Sequence, residues 1–121
     1  MQIRNAIDLD VDALYKITQA EGWHTFTKEL LSKLLMTSKI IVIEDNQELV
    51  GYTRFLTDES LTLYITEIIV AKEYRSQGYG ESMIKHLQET FPTVRIELLS
   101  HNNQFYKKLS FRNIGSGFRL P

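Results

Sequence analysis

The sequence predicts one α/β (α+β) domain, in which helices flank a sheet. Three observations support this class. Amphipathic helical patterns alternate with β-branched strand patterns, in the approximate order β-α-α-β-β-β-α-β-α-β-β. The 121 residues are enough for one core and too few for two full-sized domains. Apolar residues make up 43% and charged residues 24%, as in ordinary globular proteins. We therefore expect a single domain over residues 1–121.

The first half of the chain predicts a short strand, two helices and a hairpin. Gln2–Asn5 suits a strand, and Asp8 suits the N-cap of a helix that runs to about Glu21. Leucines at helical spacing over Leu30–Leu35 give a second helix its buried stripe. The β-branched run Ile40–Ile43 predicts a strand covered on both faces, with Leu49–Leu56 as its hairpin partner.

The second half predicts the centre of the sheet and a third helix. A long strand runs from Leu61 to about Val70, and a helix begins near Gly78 and ends before Pro92. The remaining elements are a strand Val94–Leu99, a short helix Asn102–Leu109 and a final hairpin of Phe111–Ile114 with Phe118–Leu120.

Charge and composition exclude several classes of function. Fourteen basic and fifteen acidic residues give a net charge of -1, which argues against a nucleic-acid binder. The absence of cysteine excludes disulfides, thiolate metal sites and a cysteine nucleophile, and no histidine spacing indicates a metal site. The N-terminus has no apolar signal region, and the longest strongly apolar run is Ile40–Ile43. We expect a cytoplasmic protein that uses no metal, membrane or nucleic acid.

A glycine-containing turn between a long strand and a helix is the strongest chemical signal. The free N–H groups of a first helical turn attract anions, and Gly78 and Gly80 let phosphate oxygens approach the backbone. Arg75 adds a positive charge. The Walker A pattern is absent, and the dinucleotide fingerprint would need glycine where Met83 stands. The alternative is that both glycines only form a tight strand-to-helix turn.

Several segments resemble the GNAT superfamily of acyl-CoA N-acyltransferases. Arg75-x-x-Gly78-x-Gly80 is similar to its R/Q-x-x-G-x-G/A motif, and it follows the strand Tyr64–Val70 as the family's motif does. Val50-Gly51-Tyr52 is similar to the family's V-G-F/Y, and Asn103–Phe111 is similar to its C-terminal N-x-x-F-Y-x-x-L-G-F. Ser110 departs from the pattern, because the family usually has glycine there.

The resemblance implies a mixed, mostly antiparallel sheet with splayed middle strands and about four helices, and acetyl-CoA as co-substrate. The pantetheine arm would lie between the splayed strands, with the pyrophosphate on the amides of residues 77–81. The residues that would contact acetyl-CoA are Ile68, Ile69, Val70, Arg75, Ser76, Gln77, Gly78, Tyr79, Gly80, Glu81, Asn103 and Tyr106.

Two side chains match catalytic positions of the family. Tyr106 matches a tyrosine that protonates the departing thiolate, and Glu67 matches a carboxylate that acts as base in some members. Full proton transfer from a phenol of pKa about 10 to a thiolate of pKa about 8.5 is uphill by roughly 2 kcal/mol, so a hydrogen bond from Tyr106 is the favoured role. The alternative for Glu67 is an ion pair at the sheet end. Strict alternation from Leu61 places Glu67 on the face of Leu63 unless a bulge intervenes.

The resulting hypothesis is a transfer of the acetyl group from acetyl-CoA to a primary amine by direct attack. The amine acceptor is a small molecule or a protein, and the aromatic residues that can line its pocket are Trp23, Phe26, Tyr52 and Tyr64, with core packing as the alternative. A non-catalytic acyl-CoA sensor or interaction module of the same fold is the rival. The final hairpin would leave an edge for pairing with a second subunit in a homodimer.

Overall fold

The computed structural model describes residues 1–121 and contains one five-stranded sheet. The strands lie in the order β1-β2-β3-β4-β5, and only the β4–β5 pair is parallel. The strands are β1 (Gln2–Asn5), β2 (Lys39–Asp45), β3 (Glu48–Thr57), β4 (Thr62–Val70) and β5 (Arg95–Leu98). The helices are α1 (Val11–Ala20), α2 (Lys28–Thr37), α3 (Tyr79–Thr90) and α4 (Asn103–Lys108). The expected fold class is confirmed.

Helices cover both faces of the sheet and divide the core in two. Alternate residues of each strand point to the same face of the sheet. Helix α3 packs against one of these faces. This cluster contains Ile41, Ile43, Val50, Phe55, Leu63, Ile65, Tyr79, Met83, Ile84 and Leu87. Helices α1 and α2 cover the other face, and that cluster contains Leu14, Ile17, Leu31, Ile40, Val42, Tyr52 and Ile69. No helix has both the length and the apolar composition needed to cross a bilayer.

The start of α1 differs from the expectation that Asp8 caps the helix. A 3-10 turn occupies Asp8–Asp10, and α1 begins at Val11. The carboxylate of Asp10 accepts two hydrogen bonds from the Arg4 guanidinium at 2.8 Å each, and a third from the backbone N–H of Ile7 at 2.8 Å. Asp10 therefore anchors the helix to β1, because a charged pair of this geometry stabilises more than an exposed cap.

The Asp10→Asn variant should lose about 2 kcal/mol of unfolding free energy at pH 7, as expected for a charged hydrogen-bond pair. The Arg4 guanidinium lowers the pKa of Asp10 below its ordinary value. A lowered pKa in the folded state gives stability that is present above the unfolded pKa of about 3.9 and is lost as the pH falls below it. Urea unfolding at pH 7 and pH 3 measures this difference, with the exposed Asp8→Asn as control. A difference between parent and variant that does not shrink at pH 3 would contradict it.

The predicted C-terminal hairpin is wrong, since residues 109–121 form no strand. Phe118 and Leu120 are both 94% exposed, so neither segment of the expected hairpin gains a packed face. A short two-stranded hairpin is marginal without such packing. Strand β5 is therefore the edge of the sheet.

Candidate active site

Strand β4 loses its neighbour β5 halfway along its length. Residues Thr62–Ile65 pair in parallel with Arg95–Leu98, and that pairing ends at Ile65. The last five residues of β4, Thr66–Val70, have only β3 beside them. One edge of this segment therefore has backbone groups that no neighbouring strand satisfies. The expected splay lies between β4 and the edge strand β5.

A close approach of β3 and β4 fixes the geometry beside the split. Gly51 pairs with Val70, and a Cβ at Gly51 would lie 2.7 Å from the carbonyl oxygen of Ile69 and 3.2 Å from the Ile43 side chain. Backbone at that distance cannot yield cheaply, so the position requires glycine. This accounts for the glycine of the Val50-Gly51-Tyr52 motif.

A β-bulge in β4 determines which face Glu67 occupies. Arg54 pairs with Glu67 and Phe55 with Ile65, so Thr66 is an extra residue without a partner. An extra residue reverses the alternation that follows it. Strict alternation from Leu61 therefore does not hold, and Glu67 lies on the side of α1 and α2 instead of the α3 side.

Glu67 forms a nearly buried ion pair with Arg54. Arg54 Nε donates to Glu67 Oε1 at 2.7 Å and Nη2 donates to Oε2 at 2.5 Å, with the side chains 16% and 11% exposed respectively. The hydroxyl of Tyr52, on the same face, is buried and has no hydrogen-bond partner. Burial, reinforced by the charge of Glu67, raises the pKa of Tyr52 above its ordinary value. Arg54 was missed by sequence reasoning; its only signal was a charge within an apolar strand.

The segment Arg75–Glu81 between β4 and α3 presents free backbone donors. Gly78 has φ +85° and Ser76 has φ +64°, and these left-handed residues turn the chain into α3. No side chain caps α3, and the N–H groups of Gly78, Tyr79 and Gly80 donate to no acceptor in the protein. Free donors at a helix N-terminus, assisted by the helix dipole, are of the kind that can bind a phosphate group.

Gly80 also determines how closely α4 approaches α3. A Cβ at Gly80 would lie 3.0 Å from the ring of Phe105. Phe105 precedes Tyr106, and their rings meet edge to face at 5.0 Å. The glycine thus allows the helix that carries Tyr106 to pack against the start of α3.

Side chains fasten this segment to its neighbours. The hydroxyl of Tyr79 donates to Asp45 at 2.7 Å and that of Tyr74 donates to Glu48 at 2.9 Å, which ties the segment to the β2–β3 turn. Arg75 Nε donates to the carbonyl of Val70 at 2.9 Å, and its guanidinium pairs with Glu21. The positive charge expected from Arg75 is therefore shared with a carboxylate.

The end of α4 sets the orientation of Tyr106. The N–H of Ser110 donates to Lys107 at 3.0 Å and that of Phe111 donates to Tyr106 at 3.0 Å, the bond pattern of a Schellman motif. The accompanying apolar contact is the edge-to-face packing of the Tyr106 and Phe111 rings at 5.5 Å. Burial raises the pKa of Tyr106 above its ordinary value, so the phenol is protonated at neutral pH.

Ser110 occupies the position of this motif where glycine is favoured. Its φ of +71° lies in the left-handed region, in which a Cβ costs about 1 kcal/mol. Ser110→Gly should therefore raise the free energy of unfolding by about that amount. Chemical denaturation measures it, with Ser116→Gly, at an exposed loop position without a positive φ, as control; a loss of stability in Ser110→Gly would contradict the assignment.

A cleft of about 730 Å³ runs along β5 beside α4. Asn103 and Tyr106 line it together with β5 and residues 109–115 and 117. Residues 75–81 do not line it. Of the predicted contact residues, this cleft therefore brings together the two from α4.

The aromatic residues predicted to line an acceptor pocket lie on the α1–α2 side. Trp23 and Phe26 belong to the loop Glu21–Thr27, the α1–α2 loop, and their ring centres are 6.1 Å apart. Both pack against the core cluster of that face, in which Tyr52 is only 1% exposed. Tyr64 is half-buried and pairs with Glu97 of β5. Trp23, Phe26 and Tyr64 therefore retain exposed surface for a ligand, whereas Tyr52 does not.

Comparison with known proteins identifies the family. The sequence profile described as "Acetyltransferase (GNAT) domain" matches residues 36–113, which is more than half of the chain. The chain belongs to the GNAT family. The match contains the bulged strand, the Arg75–Glu81 segment and Tyr106. No curated protein matches significantly.

Solved structures support the GNAT fold over nearly the whole chain. A GNAT-family acetyltransferase from Streptococcus pneumoniae is 24% identical, with 99% of this chain and 95% of that one covered and a TM-score of 0.81. A ribosomal-protein-alanine N-acetyltransferase from Brucella melitensis is 12% identical, with 100% and 99% covered and a TM-score of 0.78. The PaiA N-acetyltransferase from Thermoplasma acidophilum, solved with coenzyme A, is 14% identical, with 89% and 87% covered and a TM-score of 0.74. At these identities the likeness concerns the fold and not the substrate.

Proposed function

We propose that this GNAT protein transfers an acetyl group from acetyl-CoA to a primary amine. The observation that carries the proposal is the set of free N–H groups at the start of α3, which follows directly on the unpaired end of β4. A helix N-terminus of this kind suits the diphosphate of CoA. The unpaired backbone edge suits the two amides of the pantetheine arm, because both would exchange hydrogen bonds as a strand does.

The residues that would hold acetyl-CoA fall into two groups. The amides of residues 77–81 would bind the diphosphate, and the backbone of Ile68, Ile69 and Val70 would bind the pantetheine arm. Asn103 and Tyr106 of α4 would contact the arm near its thioester. The Thermoplasma relative, solved with coenzyme A, supports this class of ligand.

The proposed reaction is a direct attack of the neutral amine on the thioester carbonyl. The N–C bond forms, the C–S bond breaks, and the electron pair leaves on the thiolate of CoA. The proton that the attacking nitrogen loses as the neutral amide forms passes to that thiolate or to solvent. An alkyl ammonium with a pKa of about 10.4 must first lose a proton at neutral pH. Glu67 would accept that proton, directly or through a water molecule, and the protonated hydroxyl of Tyr106 would donate a hydrogen bond to the departing sulfur.

The ion pair with Arg54 is compatible with this role of Glu67. A carboxylate has about four lone-pair positions, and the two guanidinium bonds use one on each oxygen. The remaining positions can accept a hydrogen bond from a water molecule or an ammonium. Trp23, Phe26 and Tyr64 lie on the same side of the sheet and would supply aromatic surface to the amine.

The test is calorimetric titration with acetyl-CoA, followed by measurement of free CoA release with a panel of amines. We expect a dissociation constant between submicromolar and tens of micromolar, on the order of 6 to 9 kcal/mol, and acceptor-dependent release. Glu67→Gln should slow release without weakening acetyl-CoA binding. Absence of acetyl-CoA binding would remove the proposal, and binding without release on any amine would favour the non-catalytic acyl-CoA module.

A further inference from the structure

The ion pair between Arg54 and Glu67 lies where the cover of the sheet by α1 and α2 ends. Tyr52 and Leu56 are the nearest residues of β3 on the same face as Arg54, because alternate residues of a strand share a face. Tyr52 is 1% exposed and belongs to the core, whereas Leu56 is 47% exposed. The pair therefore borders the core on one side and solvent on the other, and a small molecule can reach it from the open side.

The guanidinium of Arg54 has one edge that no protein group uses. A guanidinium carries five N–H donors, and Glu67 accepts from Nε and from one N–H of Nη2, which together form one edge. The other edge, with Nη1 and the second N–H of Nη2, donates to no acceptor in the protein. It is not sealed off, since the only fully buried side-chain N or O atom without a partner is the Tyr52 hydroxyl. A free edge of this geometry matches the two oxygens of a carboxylate.

The hydroxyl of Tyr52 is a further polar group without a partner beside the pair. It is buried, and it lies close enough to Glu67 for the carboxylate charge to act on it. Buried hydroxyls are almost always hydrogen-bonded, because an unpaired one has lost its bonds to water. A polar ligand bound next to Arg54 and Glu67 would give this hydroxyl the partner that it lacks.

The opposite charges of Arg54 and Glu67 decide which amines fit beside them. A simple alkylammonium would leave an unbalanced positive charge at a nearly buried pair, which is unfavourable. A ligand with one ammonium and one carboxylate keeps the site neutral. Its ammonium donates to the free lone pairs of Glu67, and its carboxylate accepts from the free edge of Arg54. Because Arg54 and Glu67 are in direct contact, the two ligand charges must also be neighbours, as on the α-carbon of an amino acid.

We infer that the acceptor is the α-amino group of a free amino acid, with its carboxylate bound by Arg54 and its ammonium bound by Glu67. The α-nitrogen forms the new bond to the acetyl carbon, the C–S bond breaks, and the products are an N-acetyl amino acid and CoA, whose sulfur or the solvent takes up the proton. Polyamines and peptide amino termini lack the neighbouring carboxylate and are poorer acceptors. The inference rests on the proposed function, because it names the acceptor of that reaction.

The first test needs no variant and compares acceptors in measurements of CoA release. The common amino acids are screened together with spermidine and a short peptide, and the best amino acid is then compared with the amine that lacks its carboxylate, such as phenylalanine with phenethylamine or leucine with isopentylamine. The amino acid should have a kcat/KM at least about tenfold higher, the value of a charged hydrogen bond. An equal or higher value for the carboxylate-free amine, or release only with spermidine or the peptide, would overturn the inference and leave the proposed function standing. Absence of acetyl-CoA binding would overturn the proposed function itself.

The second test uses Arg54→Lys, which keeps a positive charge beside Glu67 but has no second edge for a carboxylate. The KM of the amino acid should rise at least about tenfold, while that of the carboxylate-free amine and the dissociation constant of acetyl-CoA stay within about threefold. Arg119→Lys, at an exposed position of the C-terminal segment, is the control and should change none of them. An equal rise in KM for both acceptors would show that Arg54 only supports Glu67 and would overturn the inference.

Tyr52→Phe gives an independent check if Arg54→Lys does not fold. Since the hydroxyl has no partner in the protein, its removal should not lower the free energy of unfolding. The KM of the amino acid should nevertheless rise at least about threefold, as expected for the loss of one hydrogen bond to the ligand. An unchanged KM in a folded Tyr52→Phe protein would contradict the proposed amino acid site.

Discussion

Gly78→Val should bind CoA at least about 30-fold more weakly than the parent, a loss of roughly 2 kcal/mol, which is the value of one charged hydrogen bond. Gly78 has φ +85°, a conformation that a β-branched residue adopts only with strain. The substitution would rotate the free N–H groups at the start of α3 away from a common point. Isothermal titration calorimetry measures the loss, and circular dichroism establishes that the variant is folded.

Gly22→Val is the matched control for backbone strain. Gly22 has φ +79° and, like Gly78, no atom within 4 Å of its missing Cβ, so the intrinsic cost of the substitution is the same. Gly22 lies at the end of α1 and not among the free donors. The CoA affinity of Gly22→Val should stay within about fivefold of the parent. That limit is set by the partly exposed ion pair between the neighbouring Glu21 and Arg75, which the substitution could weaken. Equal losses in the two variants would show that strain, not the phosphate site, causes the effect.

Tyr106→Phe should lower kcat about 10- to 100-fold while the dissociation constant of acetyl-CoA stays within about twofold, because one hydrogen bond to the leaving sulfur acts mainly in the transition state. The ring remains packed on Phe105 and Phe111, so stability should change little. Because burial raises the pKa of Tyr106, its hydroxyl stays protonated throughout pH 7 to about 10, and activity should not fall from its titration in that range.

Tyr15→Phe is the control for loss of a phenol. Tyr15 lies on α1, where its ring faces the Lys28 ammonium at 5.4 Å. Its variant should keep the kcat of the parent. A Tyr106→Phe enzyme with unchanged kcat would exclude the proposed role of the hydroxyl, and one with tenfold weaker acetyl-CoA binding would assign it to binding instead.

Local patterns predicted the elements that have strong local causes. The β-branched run Ile40–Ile43 forms a strand covered on both faces, as its apolar pattern predicted. Gly78 ends the turn into α3, because its left-handed φ favours glycine there. The C-terminal hairpin failed for the opposite reason. Two short segments with apolar residues flanked the turn Gly115-Ser116-Gly117, but a strand needs a neighbour and a covered face, and Phe118 has neither.

The least predictable part of the site was the relation between distant residues. Nothing in the sequence shows that Thr66 is an extra residue, since a bulge depends on the register between β3 and β4. The partners Arg54 and Glu67, and likewise Glu21 and Arg75, meet only after the sheet and helices have assembled. Family resemblance drew attention to the Arg75–Glu81 segment and to Tyr106, whereas it supplied none of these pairs.

The extra residue at Thr66 has a consequence for protein engineering. If a regular strand without a bulge replaced β4, its side chains would face the same sides as the natural ones only up to Thr66. Beyond it, each inserted side chain would point to the opposite face of the sheet, and a carboxylate at the position of Glu67 would enter the apolar layer beneath α3. Any strand transplanted here must therefore contain a β-bulge at the equivalent position.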